Sequence, residues 1–387
     1  MEAMSLDLVM SMMEIPGKSG KERQIAEFIV AKLKKSGVPE SAIQFDNAHK
    51  KSHIGGEIGN LIVKLPGTVR GPRRLLMAHM DTVPLCVGAK PSRDGDVIRS
   101  RDPRTALGGD DRAGAAVILQ TWLTIAKQGL PHPPLTLFWP IQEEVGLVGA
   151  RYVSAAKLGK PQLCFNWDGG APNVAVVGAT GDDHLEIEVH GLASHAGAHP
   201  EDGVSAAVIA SRAIAQLHEE GWHGLVVKGK NRGTSNIGVL QGGEATNVVL
   251  DSLRIRAEAR SHDPAFRGKI VAAITKAFQA AAKQVKNAAG QCGKVTVDVR
   301  HKYESFRIDE QEPVVQSALA AIAATGLEPL TRISNGGLDA NWMTAHGFPT
   351  VTLGCGQSGI HTVKEELSIP QYERACEIAL LLATGKH

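Results

Sequence analysis

Six side chains that could bind a metal ion or move a proton follow predicted strands in this chain. They are His79, Asp110, Glu143, Glu144, Asp168 and His361. Imidazole and carboxylate ligands without thiolate suit zinc, and manganese or cobalt would fit the same set. One catalytic zinc ion uses about three protein ligands, whereas two ions that share a bridging carboxylate use about five. The set therefore predicts two metal ions and one group that is free to act as a base.

The first of these side chains follows the apolar run Leu75–Ala78, which predicts a strand buried on both faces. In open α/β sheets, reactive groups gather outside the carboxyl ends of the strands. His79 and Asp81 are two residues apart, so their side chains point the same way on extended backbone. We therefore expect the Asp81 carboxylate to accept the second ring N–H of His79 and fix its tautomer, as part of the catalytic site.

Alternating strand and helix patterns predict an α/β layer that carries these residues. The predicted strands are Asn60–Leu65, Leu75–Ala78, Leu135–Trp139 and Leu163–Trp167, and the predicted helices are Ala115–Ala126, Glu312–Thr325 and Tyr372–Ala383. A further helix is expected after Ser19, because Ser19 and Glu22 have the spacing of a capping box.

The middle of the chain has a different and self-contained pattern, β-α-β-β-α-β. Its elements are predicted at His184–His190, Gly203–His218, Thr234–Leu240, Val249–Arg260, Pro264–Ala289 and Lys294–Tyr303. A chain of 387 residues also exceeds the usual size of a single core. We therefore expect an α/β catalytic domain with a mostly parallel sheet between helices (1–178 and 304–387), interrupted by a ferredoxin-like α+β lid and dimerisation domain (179–303).

The composition excludes several classes of protein. The chain is 43% hydrophobic and 21% charged, with a formal net charge of +2, which is ordinary for a globular protein and gives no nucleic-acid-binding patch. No run approaches the ~18 to 20 apolar residues of a membrane span, and the N-terminus does not resemble a signal peptide. The five cysteines contain no C-x-x-C pair. We expect a reduced, cytoplasmic protein with no nucleic-acid or membrane partner.

The sequence motifs around these residues resemble those of dizinc exopeptidases of the peptidase T type, in a superfamily with aminoacylases and carboxypeptidases. The motifs are His79-Met80-Asp81, Gly109-Asp110-Asp111-Arg112-Ala113-Gly114, Glu143-Glu144-Val145-Gly146, Asp168-Gly169-Gly170, Gly336-Gly337-Leu338-Asp339-Ala340 and His361-Thr362-Val363-Lys364-Glu365. The match runs in order through nearly the whole chain, and the motifs together are highly specific.

The resemblance assigns roles to the candidate ligands. It implies that Asp110 bridges two zinc ions, that His79 and Asp168 complete one metal site, and that Glu144 and His361 complete the other. Glu143 is then the catalytic general base.

The resemblance also implies a cis peptide bond between Asp110 and Asp111. Two departures from the family pattern are visible, since Arg112 replaces the usual Lys and Leu338 replaces a common Thr or Ser. We expect Asp111 and Arg112 to orient the bridging carboxylate.

Substrate contacts are expected from the lid and from the last motif. The candidates are His195, Asn247, Arg260 and Asp339. His195 could stabilise the developing oxyanion, and Arg260 could clamp a substrate carboxylate in bidentate fashion. Asp339 or another carboxylate could neutralise a free α-amine.

The function expected from the resemblance is release of the N-terminal residue from di- and tripeptides, by a hydroxide that bridges two zinc ions. An N-acyl-amino-acid deacylase or a carboxypeptidase-like amidohydrolase is the alternative on the same scaffold. A catalytically silent metal- or peptide-binding protein is a third hypothesis, against which Glu143 argues because binding needs no free base. A homodimer formed through an edge strand of the lid is also expected.

Overall fold

The computed structural model describes residues 6–386, which form two compact units. One unit contains the chain up to Gly178 and from Arg307 onward, and the other is Ala179–Phe306. The second unit therefore ends slightly beyond Tyr303, the last residue of the lid expected from the sequence.

Helices and strands are numbered here in chain order. The helices are α1 (Leu6–Glu14), α2 (Arg23–Lys35), α3 (Gly109–Gln128), α4 (Val148–Tyr152), α5 (Ala206–Glu219), α6 (Pro264–Gln284), α7 (Pro313–Ala324), α8 (Asp339–Ala345) and α9 (Ile369–Thr384). The strands are β1 (Ile43–Phe45), β2 (Leu61–Leu65), β3 (Arg74–Met77), β4 (Pro91–Asp94), β5 (Val97–Ser100), β6 (Leu135–Trp139), β7 (Leu163–Gly169), β8 (Val174–Ala179), β9 (Gly181–His190), β10 (Gly224–Lys228), β11 (Asn231–Gln241), β12 (Ser252–Ser261), β13 (Lys294–Tyr303), β14 (Phe306–Arg307), β15 (Leu330–Ser334), β16 (Thr350–Gly354), β17 (Gln357–Ser358) and β18 (Glu366–Ser368). No helix within residues 6–386 is long and apolar enough to cross a membrane.

The first unit is built on a mixed sheet in the order β1-β2-β6-β3-β7-β16-β8-β14, with β15 paired to β8. The β3–β6, β3–β7 and β7–β16 pairs are parallel, whereas β1–β2, β2–β6 and β8–β16 are antiparallel. The predicted α/β layer is confirmed, and its parallel part is limited to four central strands. Strands β3, β6 and β16 are buried along their whole length, which explains why they are mainly apolar and carry few charged residues.

Two features of the first unit were not expected from the sequence. A small antiparallel sheet in the order β17-β18-β5-β4 joins the segment after His361 to a hairpin near residue 95. The predicted capping box at Ser19 is wrong, because α2 begins at Arg23 and no side chain caps it. The Ser19 hydroxyl instead donates a hydrogen bond to Asp81, at 2.6 Å.

The second unit contains an antiparallel sheet in the order β10-β11-β12-β9-β13, packed against α5 and α6. Burial alternates along β12, and Leu253, Ile255, Ala257 and Ala259 join the core beneath these helices. Asp263 caps α6 by accepting hydrogen bonds from the two N–H groups that follow Pro264, at 2.8 and 3.3 Å.

Strand β10 was not expected from the sequence, and the observed order is β-α-β-β-β-α-β. Its apolar run Leu225–Val227 is too short to separate from the preceding loop by pattern alone. It pairs with β11 around Gly229, whose φ of +61° is easily adopted without a β-carbon.

Candidate metal centre

Asp110 lies between two histidines, each of which faces a different oxygen of its carboxylate. Oδ1 is 3.2 Å from His79 Nε2, and Oδ2 is 3.1 Å from His361 Nε2. Two groups of possible ligands share this residue: His79, Asp110 and Asp168 form one, and Asp110, Glu144 and His361 form the other. Within each group the ligand atoms lie within 4.8 Å of one another. The structure thus brings together the five residues predicted as metal ligands.

The central sheet explains most of this convergence. His79 follows β3, Glu144 follows β6, and Asp168 lies at the end of β7. These three strands are neighbours and parallel, so their carboxyl ends meet at one edge.

The two remaining ligand candidates are not carried by strand ends of this sheet. The expectation of a strand end was wrong for Asp110, which lies at the start of α3 and has non-helical backbone angles. His361 lies in the loop after β17 with a φ of +61°. Residues other than glycine rarely adopt this backbone conformation unless their surroundings stabilise it.

Asp81 has a different contact from the one predicted. The Nδ1 atom of His79 lies 3.0 Å from the backbone oxygen of Asp81 and 3.4 Å from its carboxylate. The carboxylate instead accepts hydrogen bonds from the Glu143 and Glu144 N–H groups, at 2.9 and 3.3 Å, and from Ser19. Asp81 therefore fixes the histidine through its main chain and the Glu143–Glu144 turn through its side chain.

The segment after Asp110 also supports the site. The predicted cis peptide bond between Asp110 and Asp111 is present. The Asp111 carboxylate accepts hydrogen bonds from the backbone of His79 and Gly114, at 3.2 and 3.1 Å. The buried Arg112 guanidinium donates to the Gly17 carbonyl at 3.4 Å. Asp111 thus orients a ligand through the main chain, as Asp81 does.

The charges at the site favour a bound cation. Burial raises the pKa of Glu143, Glu144 and Asp168 above the usual carboxyl range, and neighbouring carboxylates raise it further. Hydrogen bonds to Asp110 and Glu144 raise the pKa of the His361 imidazole to about 10. Metal ions bound here would offset the mutual repulsion of these crowded carboxylates.

The ligand atoms at the site are of the kinds that such ions bind. It consists of imidazole nitrogens and carboxylate oxygens without sulfur, which suits zinc and also manganese or cobalt. Glu143 belongs to neither group of ligand atoms, although it is half-buried beside them.

A cavity of about 590 Å³ opens beside the candidate ligands. Its wall includes Glu143, Leu338 and Arg332, but not Asp339. The Asp339 side chain is only 1% exposed, and neither of its oxygens has a hydrogen-bond partner among residues 6–386. Burial raises the pKa of Asp339 to about 7. Its expected contact with a substrate amine therefore has no support from its position.

Two of the predicted lid residues lie together in the second unit. Val248 forms a β-bridge with His195, and the backbone oxygen of Asn247 accepts a hydrogen bond from Ala196 at 2.9 Å. The Nδ1 atom of the exposed His195 accepts hydrogen bonds from two backbone N–H groups, at 3.2 and 3.0 Å. This pattern puts the ring proton of a neutral imidazole on Nε2, where it can be donated.

The third lid residue, Arg260, is not the free cation that the sequence suggested. Its guanidinium forms a two-pronged contact with Glu258, with N–O distances of 3.1 and 2.9 Å, and lies 3.8 Å from Asp182. A substrate carboxylate would have to compete with Glu258 for this fork.

Sequence reasoning missed three residues around the site. Ser19 and Glu365 make hydrogen bonds to segments that are remote in sequence, and no local pattern signals such contacts. Arg332 precedes the Gly336-Gly337 motif and lines the cavity. A basic residue close to a recognised motif was the signal that the sequence offered, and in the structure no carboxylate pairs with it within residues 6–386.

Comparisons with known proteins agree with this geometry. The chain is similar to a tripeptidase from Staphylococcus aureus, with 32% identity, a TM-score of 0.88, and coverage of 98% of this chain and 96% of that one. It is similar to aminopeptidase PepT from Bacillus cereus, with 31% identity, a TM-score of 0.84, and coverage of 98% and 96%. It is 30% identical to carboxypeptidase G2 from a Pseudomonas species, over 79% of this chain and 72% of that protein.

The sequence pattern of peptidase family M20/M25/M40 matches residues 75–384, which include every candidate metal ligand and Glu143. The match covers most of the chain, and the residues it spans form a site fit for metal-dependent hydrolysis. The chain belongs to peptidase family M20/M25/M40 and is a metallopeptidase.

Proposed function

We propose that this metallopeptidase uses two metal ions, with zinc as the first candidate, to release the N-terminal residue of di- and tripeptides. The observation that carries the proposal is the division of the Asp110 carboxylate between two histidines, at 3.2 and 3.1 Å. A carboxylate that binds a single ion would not need a second imidazole close to its other oxygen. The tripeptidase and aminopeptidase relatives support the choice of substrate.

The ligands divide into two sets around the bridging residue. His79 and Asp168 would hold one ion, Glu144 and His361 would hold the other, and Asp110 would bind both. When bound, the ions supply a water of lowered pKa and polarise the peptide carbonyl.

Glu143 is the proposed general base. Its backbone N–H is held by Asp81 at 2.9 Å, and its side chain lines the cavity without belonging to either ligand set. Burial raises the pKa of Glu143 well above its usual range, the direction that makes a carboxylate a better proton acceptor. Glu143 would take a proton from the attacking water and deliver it to the leaving amine.

The cavity fits a short peptide better than a long one. Its volume of about 590 Å³ is in the ordinary range for small ligands. Val176, Ile333, Leu338 and Ile360 give part of the wall an apolar character, and Arg332 adds one exposed guanidinium. An apolar side chain and a free carboxylate are therefore the substrate features that this wall can bind.

The lid residues and the dimer remain part of the proposal. His195 would donate from Nε2 to the developing oxyanion, with Asn247 and Arg260 as further substrate contacts. Strand β13 is an edge strand of the second unit's sheet, a position at which a strand of a second copy could pair.

A deacylase or carboxypeptidase is the second candidate function. The observations in its favour are the match to carboxypeptidase G2 and the absence of Asp339 from the cavity wall. An aminopeptidase needs a partner for the free α-amine of its substrate, and the metal-ligand carboxylates are the alternatives to Asp339.

The deciding experiment compares three forms of one apolar tripeptide with the zinc-loaded enzyme: the free peptide, its N-acetylated form and its C-amidated form. The aminopeptidase proposal predicts cleavage of the free peptide and loss of cleavage on acetylation. Equal or faster cleavage of the acetylated peptide would replace it with the deacylase or carboxypeptidase function. Metal measured per chain in the same preparation should approach two ions.

A further inference from the structure

A buried carboxylate outside the two ligand sets holds the main chain at the bridging aspartate. Glu365 is 2% exposed. Its Oε2 accepts a hydrogen bond from the Gly108 N–H at 2.7 Å, and its Oε1 accepts one from the Asp110 N–H at 2.9 Å. No Lys or Arg side chain pairs with it within residues 6–386. Because an unpaired buried carboxylate is costly unless it is well hydrogen-bonded, these contacts define its role.

The space around Glu365 is shaped for this contact. A β-carbon on Gly109 would lie 3.2 Å from Glu365 Oε1, which is tighter than ordinary packing. A glycine between the two bonded N–H groups therefore lets the carboxylate approach both of them. The bonded residues precede the helical part of α3, where the backbone of Asp110 is still non-helical.

Glu365 also belongs to the loop that carries a proposed ligand of the second ion. His361 contacts Asp110 and Glu144 at the start of this loop, and Glu365 contacts the Asp110 main chain at its end. Hydrogen bonds from Thr362 to the Gly359 carbonyl, at 2.7 Å, and from the Glu365 N–H to the Thr362 carbonyl, at 3.1 Å, hold the loop in one shape. The two ends of the loop are thus attached to the same aspartate.

We propose that Glu365 is a positioning residue, which fixes the bridging carboxylate of Asp110 and the His361 loop relative to each other. Both of its oxygens face N–H groups, so it is not itself a metal ligand. The inference rests on the proposed function only in taking Asp110 and His361 as ligands. It does not depend on which peptide or amide is the substrate.

The test compares Glu365→Gln with Glu366→Gln as a matched control. Glu366 is the next residue and pairs with Arg99 at the surface, at 2.6 Å, away from the Asp110 main chain. In Glu365→Gln the amide NH2 group faces a backbone N–H and cannot accept its hydrogen bond. We expect zinc affinity, measured by competition with a chelator, to fall about 10- to 100-fold, as for other groups that orient metal ligands. The control should keep wild-type affinity.

Further measurements separate positioning from general stability. The metal-free Glu365→Gln protein should keep its circular dichroism spectrum and melt close to the control, and at saturating zinc its kcat should fall more than its KM rises. A lower Tm with unchanged zinc affinity would overturn the proposal. Because zinc affinity is measured without substrate, an enzyme that failed to cleave tripeptides would leave this result valid.

A second variant changes the main-chain side of the same contact. It also tests the proposal if Glu365→Gln does not fold. Gly109→Ala adds a methyl group against Glu365 Oε1 and keeps every charge. We expect the same direction of change in zinc affinity. Wild-type zinc affinity in a folded Gly109→Ala protein would count against the proposal.

Discussion

Replacement of Glu143 by Gln separates the roles of two adjacent acidic residues. Gln has nearly the same shape as Glu, and the backbone N–H of residue 143 would keep its 2.9 Å hydrogen bond to Asp81. Glu143 contributes no atom to either ligand set. Glu143→Gln should therefore bind as much metal as the wild type and lose only its proton acceptor.

The expected loss of activity follows from the role of a general base. Such a group contributes about 10²- to 10⁴-fold to the rate, or roughly 3 to 5 kcal/mol of the activation free energy. No residue among 6–386 hydrogen-bonds the half-buried Glu143 side chain, so a Gln breaks no contact there and we expect the whole loss in kcat. KM should change little.

The assay pairs elemental analysis of bound metal with turnover of a free tripeptide. Glu144→Gln is the control, since it makes the same charge change one residue away but weakens a contact to His361 of 2.9 Å. The control should lose metal together with activity. A Glu143→Gln protein that lost metal in parallel, or one that kept wild-type kcat, would refute the assignment of the base.

Three further predictions concern ligands, pH and assembly. His79→Ala and His361→Ala should each lower bound metal, because each opens one ligand set; equal metal content by elemental analysis would contradict the ligand assignment. Burial, and then the charge of Asp81, raises the pKa of Glu22 from 4.5 to about 8, so its contribution to folding is fully present below pH 4.5 and is lost as pH rises through 8. The free energy of unfolding of Glu22→Gln, measured in urea, should therefore change less between pH 5 and 9 than that of the wild type, by on the order of a few kcal/mol. Parallel pH profiles of the two proteins would reject this. Sedimentation at micromolar concentration should show a dimer, and a single 41.0 kDa species would exclude it.

The residues that sequence reasoning brought together share a local signal. His79, Glu144 and Asp168 each follow an apolar run, and that run predicts both the strand and the end of the sheet at which the ligand lies. Asp110 and His361 have no such strand in the central sheet, although they were expected to follow strands, and the family motifs also included them. The sequence therefore predicted the candidate set but gave the wrong supporting element for Asp110.

The contacts that were not predicted from the sequence join residues that are far apart along the chain. Ser19 binds a carboxylate 62 residues away, and Glu365 binds an N–H group 255 residues away. A capping-box spacing was the strongest local interpretation of Ser19, and tertiary structure overrode it. The burial of Asp339 is likewise a result of how α8 packs, since its motif alone is equally compatible with an exposed side chain.

Three carboxylates close to the candidate ligands have one physical property in common. Three buried carboxylates surround the candidate ligands, and each accepts hydrogen bonds from backbone N–H groups: Asp81 from Glu143 and Glu144, Asp111 from His79 and Gly114, and Glu365 from Gly108 and Asp110. If Lys or Arg side chains, and not backbone N–H groups, donated to these carboxylates, their positive charges would compete with metal ions for the same ligands. Backbone N–H groups orient the ligands without that charge. The main chain therefore fixes the geometry of the site without adding a positive charge of its own.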